Sequence, residues 1–189
     1  MSRDPFAEDL QDRLANLANA DVAFHGILYR SADPKYADGK DLLSGQGARV
    51  HGARWNPIGI AAVYGAATPE LAMAETLAMN RYYGLPIHQA LPRIFVAIDV
   101  QVSSIIDLTD GATRQRLKIS ESRMLDADWR KDVSRGLVPL THRLGKAAFD
   151  AEFEGLMVHS ATGVEGTNLV IFPQKLRKGS HLRVGSPSI

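Results

Sequence analysis

Cysteine is absent from the 189-residue chain. The sequence therefore excludes a disulfide framework, a thiol nucleophile, and zinc or iron–sulfur sites built on cysteine. Six histidines are scattered without HExxH or comparable ligand spacing, so we predict no metal site. No stretch approaches the roughly 18 uninterrupted apolar residues of a membrane span, and the N-terminus carries acids where a signal peptide needs an apolar run. These absences predict a soluble cytoplasmic protein that does not act at a membrane.

Net charge is also nearly absent, but the charges are unevenly distributed. The 22 Lys and Arg residues offset 21 Asp and Glu residues, which leaves a formal charge of +1. Residues 42–69 contain two arginines and no acid, and residues 166–189 contain four basic residues and no acid. The remainder of the chain is therefore net acidic. That remainder argues against general affinity for nucleic acid, whereas a local excess of arginine suits a small anionic ligand.

The hydrophobic pattern predicts short helices and strands in a mixed order, which favours a single-domain α+β fold over a doubly wound sheet. Residues 31–59 hold five glycines and two prolines and are predicted to form one long loop. The predicted helices cover residues 5–19, residues 69–83 and two or three pieces of residues 110–151. The predicted strands cover residues 24–30, 60–64, 92–100, 105–108, 154–159, 167–172 and 182–184.

The first candidate site is the glycine-rich segment of residues 45–59, which contains Arg49 and Arg54. Glycine lets the backbone approach a ligand closely, and guanidinium groups bind phosphate through paired hydrogen bonds. No Asp or Glu lies between Leu42 and Pro69 to neutralise these arginines. The segment lacks a P-loop signature and the third glycine of GxGxxG. It is equally compatible with a surface loop whose arginines pair with carboxylates elsewhere in the fold.

The second candidate is a carboxylate inside the apolar stripe of the second predicted helix. At about 100° per residue, Glu75 shares one arc with Leu71, Ala78, Met79 and Tyr82. A carboxylate there is costly unless it is paired or faces a cleft, which makes Glu75 a candidate functional residue. The alternative is a glutamate at the edge of the stripe that bends outward into water.

The third candidate is the segment of residues 158–168, where a predicted strand ends in His159-Ser160 and a glycine loop leads to Asn168. A strand that ends in a small polar residue suits the rim of a pocket. Serine and asparagine in loops, however, usually cap turns. No GxSxG elbow surrounds Ser160, so the segment carries no hydrolase signature.

Taken together, these motifs resemble the RES-domain toxins, which are the toxins of RES/Xre toxin–antitoxin pairs. The family is named for an Arg, a Glu and a Ser, and each has a candidate here. The resemblance runs from about residue 26 to 184, with residues 1–23 as an N-terminal helical extension of one domain spanning 1–189. One departure is Ala53, where the family often has a second glycine. The matching segments are Tyr29-Arg30, residues 45–57, residues 62–64, residues 71–75 and residues 159–169.

The resemblance implies a fold similar to that of ADP-ribosyltransferases, in which short antiparallel sheets form a cleft with flanking helices. It implies a growth-arresting enzyme that consumes NAD by cleaving the nicotinamide–ribose bond. The reaction is a hydrolysis, or a phosphorolysis with inorganic phosphate as co-substrate, and needs no further cofactor. It also implies a hetero-oligomer with an Xre-type helix-turn-helix antitoxin that occludes the cleft. The toxin then meets DNA only indirectly, through the antitoxin.

The resemblance further implies roles for the matching residues. Glu75 would stabilise the oxocarbenium-like state that forms when nicotinamide leaves the ribose. Arg30 and Arg54 would hold the pyrophosphate, with Arg49 as a helper, and Tyr64 would stack on nicotinamide or ribose. Glu75, Arg30 and Tyr64 form the expected catalytic set. The residues expected to contact NAD are Tyr29, Arg30, Arg49, Arg54, Tyr64, Ser160 and Asn168.

Two alternatives remain open from the sequence. The first is an ADP-ribosyltransferase that modifies a cellular protein, because transfer shares its first bond-breaking step with hydrolysis and phosphorolysis. The second is a non-catalytic nucleic-acid-binding module that uses the arginine segment and the basic C-terminal tail. It would bind in a salt-dependent way, but the basic segments lack the interleaved aromatic residues of a stacking platform. A solvated basic edge strand explains the tail more simply.

Overall fold

The computed structural model describes residues 5–17, 21–36 and 39–185, and the elements below are those of these ranges. The α-helices are α1 (Pro5–Ala15), α2 (Gly39–Ser44), α3 (Gln46–His51), α4 (Pro69–Tyr82), α5 (Gly111–Leu117), α6 (Glu121–Leu125), α7 (Trp129–Ser134) and α8 (Leu140–Asp150). The strands are β1 (Val22–Ala32), β2 (Val63–Ala66), β3 (Ile94–Asp107), β4 (Gly155–His159), β5 (Thr167–Ile171) and β6 (His181–Val184). Among the described helices, none has both the length and the apolar content needed to cross a membrane.

The described strands form one sheet, and five of them close into a ring. The strand order is β1-β2-β5-β4-β3-β6, and β1 also pairs with β3, so β6 is the strand added outside the ring. The longest pairing is antiparallel and aligns Val22 of β1 with Ile105 of β3 at one end and Ala32 with Ile94 at the other. Strands β3 and β4 run parallel. The mixed α+β class is confirmed, whereas the expectation of several short antiparallel sheets is wrong.

Two stretches differ from the local sequence prediction. Residues 31–59 are not one long loop, because α2 and α3 lie within them and buried Leu42 anchors α2. The two strands predicted over 92–100 and 105–108 are one strand, β3. The polar residues Gln101 and Ser103 lie on the exposed side of its alternation rather than in a turn. The first helix ends at Ala15, and part of its predicted range lies outside the described residues.

The core has two main parts. One cluster packs helices against the sheet and includes Leu14 of α1, Leu144 of α8 and Phe172, which follows β5. The other is built from the ring strands themselves, with Leu28 of β1 and Val100 of β3 among its buried members. The ring is therefore held by its own apolar side chains. It gives a rigid frame from which loops and strand ends project.

Helix α8 packs directly against the loop that carries Arg54. A β-carbon on Gly145 would lie 1.6 Å from the carbonyl oxygen of Trp55. One turn earlier, Nε2 of His142 lies 2.8 Å from the carbonyl oxygen of Ala53. The loop of residues 53–56 is thus supported from behind by a helix that can approach only because residue 145 has no side chain.

Gly145→Ala is therefore expected to lower the free energy of unfolding by about 1–3 kcal/mol, the usual cost of overpacking. Alanine is a better helix former than glycine by about 1 kcal/mol. A net loss of unfolding free energy would therefore arise from the contact with Trp55. Denaturant unfolding measures the change. The matched control is Gly47→Ala in α3, where an added β-carbon meets nothing within 4 Å. Equal stability of the Gly145→Ala variant and the unchanged protein would contradict this packing.

Candidate active site

A cavity of about 620 Å³ opens beside α4 and brings together motifs that are far apart in the sequence. Its volume falls within the ~300–1,000 Å³ usual for small-molecule sites. The ends of β1 and β2, the loop of residues 53–55, and the segment of residues 126–130 form its walls. Of the predicted catalytic and NAD-contacting residues, all but Arg49 and Ser160 line the cavity, namely Tyr29, Arg30, Arg54, Tyr64, Glu75 and Asn168.

Glu75 projects from α4 into this cavity. The helix begins with Thr68 as N-cap, whose hydroxyl oxygen accepts from the backbone N–H of Leu71 at 3.1 Å, and with proline at the first position. The stripe that contains Glu75 does not pack into the core along its whole length. Met79 is 51% exposed and Tyr82 46% exposed, and both line the cavity. The carboxylate lies in an apolar stripe because most of that stripe forms a cavity wall.

Two side-chain donors fix the Glu75 carboxylate. Its Oε1 accepts from Oγ of Ser160 at 2.8 Å and from Nδ2 of Asn168 at 2.6 Å. Ser160 directly follows β4 and Asn168 lies in β5, and the pairing of these two strands places Val158 opposite Asn168. Within the described part of the chain, Oε2 of Glu75 accepts no hydrogen bond. The carboxylate is therefore held in one orientation with its second oxygen available to a ligand.

Arg30 places a cationic group in the cavity without satisfying all of its donors. Its Nη1 is buried and has no hydrogen-bond partner among the described residues. Burial lowers the pKa of Arg30, and the nearby positive charge of Arg93 lowers it further. Arg93 is itself anchored, since Nε and Nη2 donate to the hydroxyl and carbonyl oxygens of Ser31 at 3.1 and 3.0 Å. Two neighbouring cations and an unpartnered buried donor favour an anionic ligand.

Arg54 also reaches the cavity and is tied to the end of α6. Its Nη2 donates to the carbonyl oxygens of Met124 and Leu125 at 2.6 and 2.7 Å. Burial lowers the pKa of Arg54, and the negative charge of Glu75 works in the opposite direction. Arg54 is thus within electrostatic reach of the carboxylate that α4 presents.

The structure does not bring Arg49 to the cavity. Arg49 lies on α3 with its side chain exposed, and it is not among the described residues that line the cavity. Arg49 belongs to the short helix α3, whereas Arg54 belongs to the loop that lines the cavity. The geometry of the cavity therefore gives no support to the expectation that Arg49 assists Arg54.

The hydroxyl of Tyr64 is engaged in supporting the arginine loop. It donates to Oδ1 of Asn56 at 2.8 Å and accepts from the backbone N–H of Trp55 at 3.0 Å. Asn56 is fully buried and its Nδ2 donates to the carbonyl oxygens of Ala48 and Ile60, each at 2.9 Å. Burial raises the pKa of Tyr64, so this hydroxyl stays protonated. The ring remains the part of Tyr64 that can face a ligand.

The segment of residues 126–130 is a part of the site that sequence reasoning missed. Asp126, Asp128, Trp129 and Arg130 all line the cavity. In the sequence this stretch reads only as the start of a helix, because nothing local distinguishes a helix that covers a cavity from one that faces water. Arg93 was missed for a similar reason, since it immediately precedes β3 with no motif around it.

His159 gives the cavity rim a titratable group that is already paired. Its Nδ1 pairs with Oε1 of Glu121, and Nη2 of Arg114 lies 3.3 Å from Oε2 of the same carboxylate. The hydrogen bond from His159 lowers the pKa of Glu121. This network links α5 and α6 to the end of β4, directly before Ser160. Across the described ranges, no three His, Asp or Glu side chains cluster closely enough to hold a metal ion.

Comparison with known proteins gives a consistent result. Residues 11–188 match the RES domain family. The chain is 42% identical over 64 residues to a Prs ADP-ribosylating toxin of a Sphingobium species, a match that spans 34% of this chain and 40% of that toxin. It is 27% identical over 143 residues to the NAD(+) phosphorylase MbcT of Mycobacterium bovis, covering 74% of this chain and 72% of the enzyme. It is also 28% identical over 148 residues to Toxin Res of Photorhabdus laumondii, covering 78% of this chain and 81% of that toxin.

A solved structure shares the fold. The crystal structure of the Mycobacterium tuberculosis MbcT–MbcA toxin–antitoxin complex matches with a TM-score of 0.71 and 22% sequence identity. The match covers 96% of this chain and 91% of the chain in that complex.

Proposed function

The chain belongs to the RES domain family, and from this membership and the geometry of its cavity we propose that it is a toxin that cleaves the nicotinamide–ribose bond of NAD. The observation that carries the proposal is the Glu75 carboxylate, which Ser160 and Asn168 fix in the cavity that Arg30 also lines. Among the described residues, Nη1 of Arg30 has no hydrogen-bond partner. A fixed negative charge and an anion-binding cation are the two groups that this reaction requires.

The chemistry assigns each group a task. The bond between ribose C1′ and the nicotinamide nitrogen breaks with both electrons going to nicotinamide, which leaves as a neutral molecule. Positive charge then develops on the ribose, and the Glu75 carboxylate stabilises it. Arg30 and Arg54 hold the pyrophosphate through charge-assisted hydrogen bonds, so the ribose is positioned against Glu75. Tyr29 and the ring of Tyr64 bound the nicotinamide end.

The nucleophile that completes the reaction is inorganic phosphate or water. The support for phosphate is the similar enzyme MbcT, which is named an NAD(+) phosphorylase. We therefore favour phosphate over water as the second substrate.

Product identification tests the proposal. The purified protein is incubated with NAD in the presence and absence of inorganic phosphate, and the products are separated and weighed by mass spectrometry. We expect free nicotinamide together with ADP-ribose 1″-phosphate when phosphate is present. Nicotinamide with ADP-ribose alone would assign hydrolysis. Intact NAD under both conditions would contradict the proposal.

ADP-ribosyl transfer to a cellular protein is the second candidate. Its support is the 42% identity over 64 residues to an ADP-ribosylating toxin. Incubation of a cell lysate with the protein and NAD labelled on the adenosine half distinguishes the two reactions. Transfer places the label on a protein, whereas phosphorolysis and hydrolysis leave all of it in small molecules.

For either reaction, we propose that the ring of strands and the cavity beside it are related to the ADP-ribosyltransferase fold.

We also propose that an Xre-type helix-turn-helix antitoxin occludes the cavity in a hetero-oligomer and alone contacts operator DNA. The similarity to a toxin solved in complex with its antitoxin supports a protein partner. Direct binding of nucleic acid by the basic tail is less favoured, because two of its cations are engaged within the chain. Lys175 pairs with Glu152, and Nη1 of Arg177 lies 3.7 Å from Asp21.

A further inference from the structure

One wall of the cavity has no role in breaking the bond or holding the pyrophosphate. We call it the Trp129 wall, and it consists of Met79 and Tyr82 of α4 with Trp129 and Arg130 of α7. The guanidinium carbon of Arg130 lies 4.5 Å from the centroid of the Trp129 ring system and 4.9 Å from that of Tyr82. The wall therefore combines flat aromatic surface with a cation that already stacks on rings.

The Trp129 wall lies at a defined distance from the reacting end of the cavity. Tyr82 follows Glu75 by seven residues on the same helix, which corresponds to about 10 Å along α4. Arg54 lines the same cavity as Glu75 and Arg130. Its carbonyl partners, Met124 and Leu125, directly precede the segment that carries Trp129. The carboxylate and the aromatic wall are thus about 10 Å apart along α4, and Arg54 is tied to the chain just before Trp129.

We propose that the Trp129 wall binds the adenine ring of NAD, an inference that rests on the proposed function. A dinucleotide held with its nicotinamide ribose at Glu75 and its pyrophosphate at Arg54 places its second base at the far end. That base is adenine, because bond cleavage requires the nicotinamide ribose at Glu75, whose carboxylate also attracts the positive charge of the nicotinamide ring. A neutral purine stacks well on both a guanidinium plane and an indole ring.

Substrates with and without adenine test the inference. Trp129→Ala is expected to raise the KM for NAD about 5- to 150-fold, the range that one base–aromatic stack carries, with kcat nearly unchanged. For nicotinamide mononucleotide, which lacks adenine, the same variant should show an unchanged KM. Trp129→Phe keeps a ring and should recover most of the affinity for NAD. Val133→Ala, an exposed position on α7, is the matched control.

An equal loss with both substrates would overturn the inference, because it would report a general disturbance of the cavity. The inference would also be overturned if the unsubstituted protein had the same kcat/KM for nicotinamide mononucleotide as for NAD. Calorimetric titration with AMP provides a readout that does not depend on turnover. AMP binding that is lost in Trp129→Ala would support the adenine subsite even if NAD were not consumed, in which case only the proposed reaction would fail. Equal binding of AMP to the unsubstituted protein and to Trp129→Ala would overturn the inference. Absence of AMP binding to either protein would also overturn it.

Discussion

Replacing Glu75 with glutamine is expected to lower kcat/KM for NAD about 100- to 1,000-fold, the usual cost of removing one preorganised electrostatic stabiliser. Glutamine has nearly the same shape, and its amide oxygen can still accept from Ser160 and Asn168. The negative charge is lost, however, and the ribose then develops its positive charge beside a neutral group. The loss should therefore fall mainly on kcat, with KM little changed. Nicotinamide release from NAD measures both quantities.

Glu70→Gln is the matched control for this substitution. Glu70 lies in the first turn of the same helix and is exposed, so the change removes one charge from α4 without touching the cavity. Both variants should unfold at nearly the same temperature as the unchanged protein. If Glu75→Gln retains more than a tenth of the unchanged activity, another group must stabilise the ribose and the assignment of Glu75 is wrong.

Glu75 could be predicted because a helix converts sequence spacing into direction. The arc shared with Leu71, Met79 and Tyr82 is correct in the structure, and the cost of a carboxylate in it has the expected explanation of a cleft. What the spacing could not show is which apolar residues face the core. Leu71 is 1% exposed while Tyr82 is 46% exposed, although both belong to one stripe. That division depends on where the ring of strands lies relative to α4.

The arginine segment shows the opposite case. Arg49 and Arg54 are equivalent in composition, since both lie among glycines without a neighbouring acid. Only the fold separates them, because Arg49 belongs to a short helix and Arg54 to a loop that α8 supports. A loop predicted over residues 31–59 gives no direction for either side chain. It therefore cannot separate an arginine that lines the cavity from one that faces solvent. Glycine content alone did not reveal that two helices occupy the segment.

Closure of the ring could not be read from the sequence either. The pairing of β1 with β3 joins segments about 70 residues apart and places Arg30 opposite Val96, three residues after Arg93. Local hydrophobic alternation predicts that a strand exists but not which strand lies beside it. The neighbouring cations and the aromatic wall of α7 are both consequences of such long-range placement. Sequence motifs and hydrophobic periodicity therefore could not predict the neighbouring arginines or the Trp129 wall.

Glutamine in place of Glu154 is expected to lower the free energy of unfolding by about 3 kcal/mol at neutral pH. Glu154 is 0% exposed. Its Oε2 accepts from the backbone N–H and hydroxyl of Ser103 at 2.7 and 2.8 Å and from the N–H of Ser104 at 2.8 Å. Its Oε1 accepts from the N–H of Arg177 at 2.9 Å. An amide keeps one acceptor oxygen and turns an NH2 group toward the remaining donors, which then lose their partner.

The same contacts predict how the difference depends on pH. Burial alone raises the pKa of Glu154, but hydrogen bonds from Arg177, Ser180 and Ser103 outweigh burial and hold the pKa below its ordinary value of 4.5. A carboxylate with a lowered folded pKa stabilises the fold fully above its unfolded pKa, and this contribution is lost as the pH falls through the folded pKa. The gap in unfolding free energy between the unchanged protein and Glu154→Gln should be constant near neutral pH and narrow below about pH 4.5.

Denaturant unfolding of the two proteins across this pH range isolates Glu154, because every other carboxylate is common to both. Glu165→Gln, in the exposed loop before β5, is the control and should leave stability nearly unchanged. Glu154 lies directly before β4, whose far end leads to Ser160, so it stabilises the strand that delivers a donor to Glu75. The folded fraction of Glu154→Gln should therefore keep its kcat for NAD. If the Glu154→Gln protein were as stable as the unsubstituted protein but inactive, the roles assigned to Glu75 and Glu154 would be wrong.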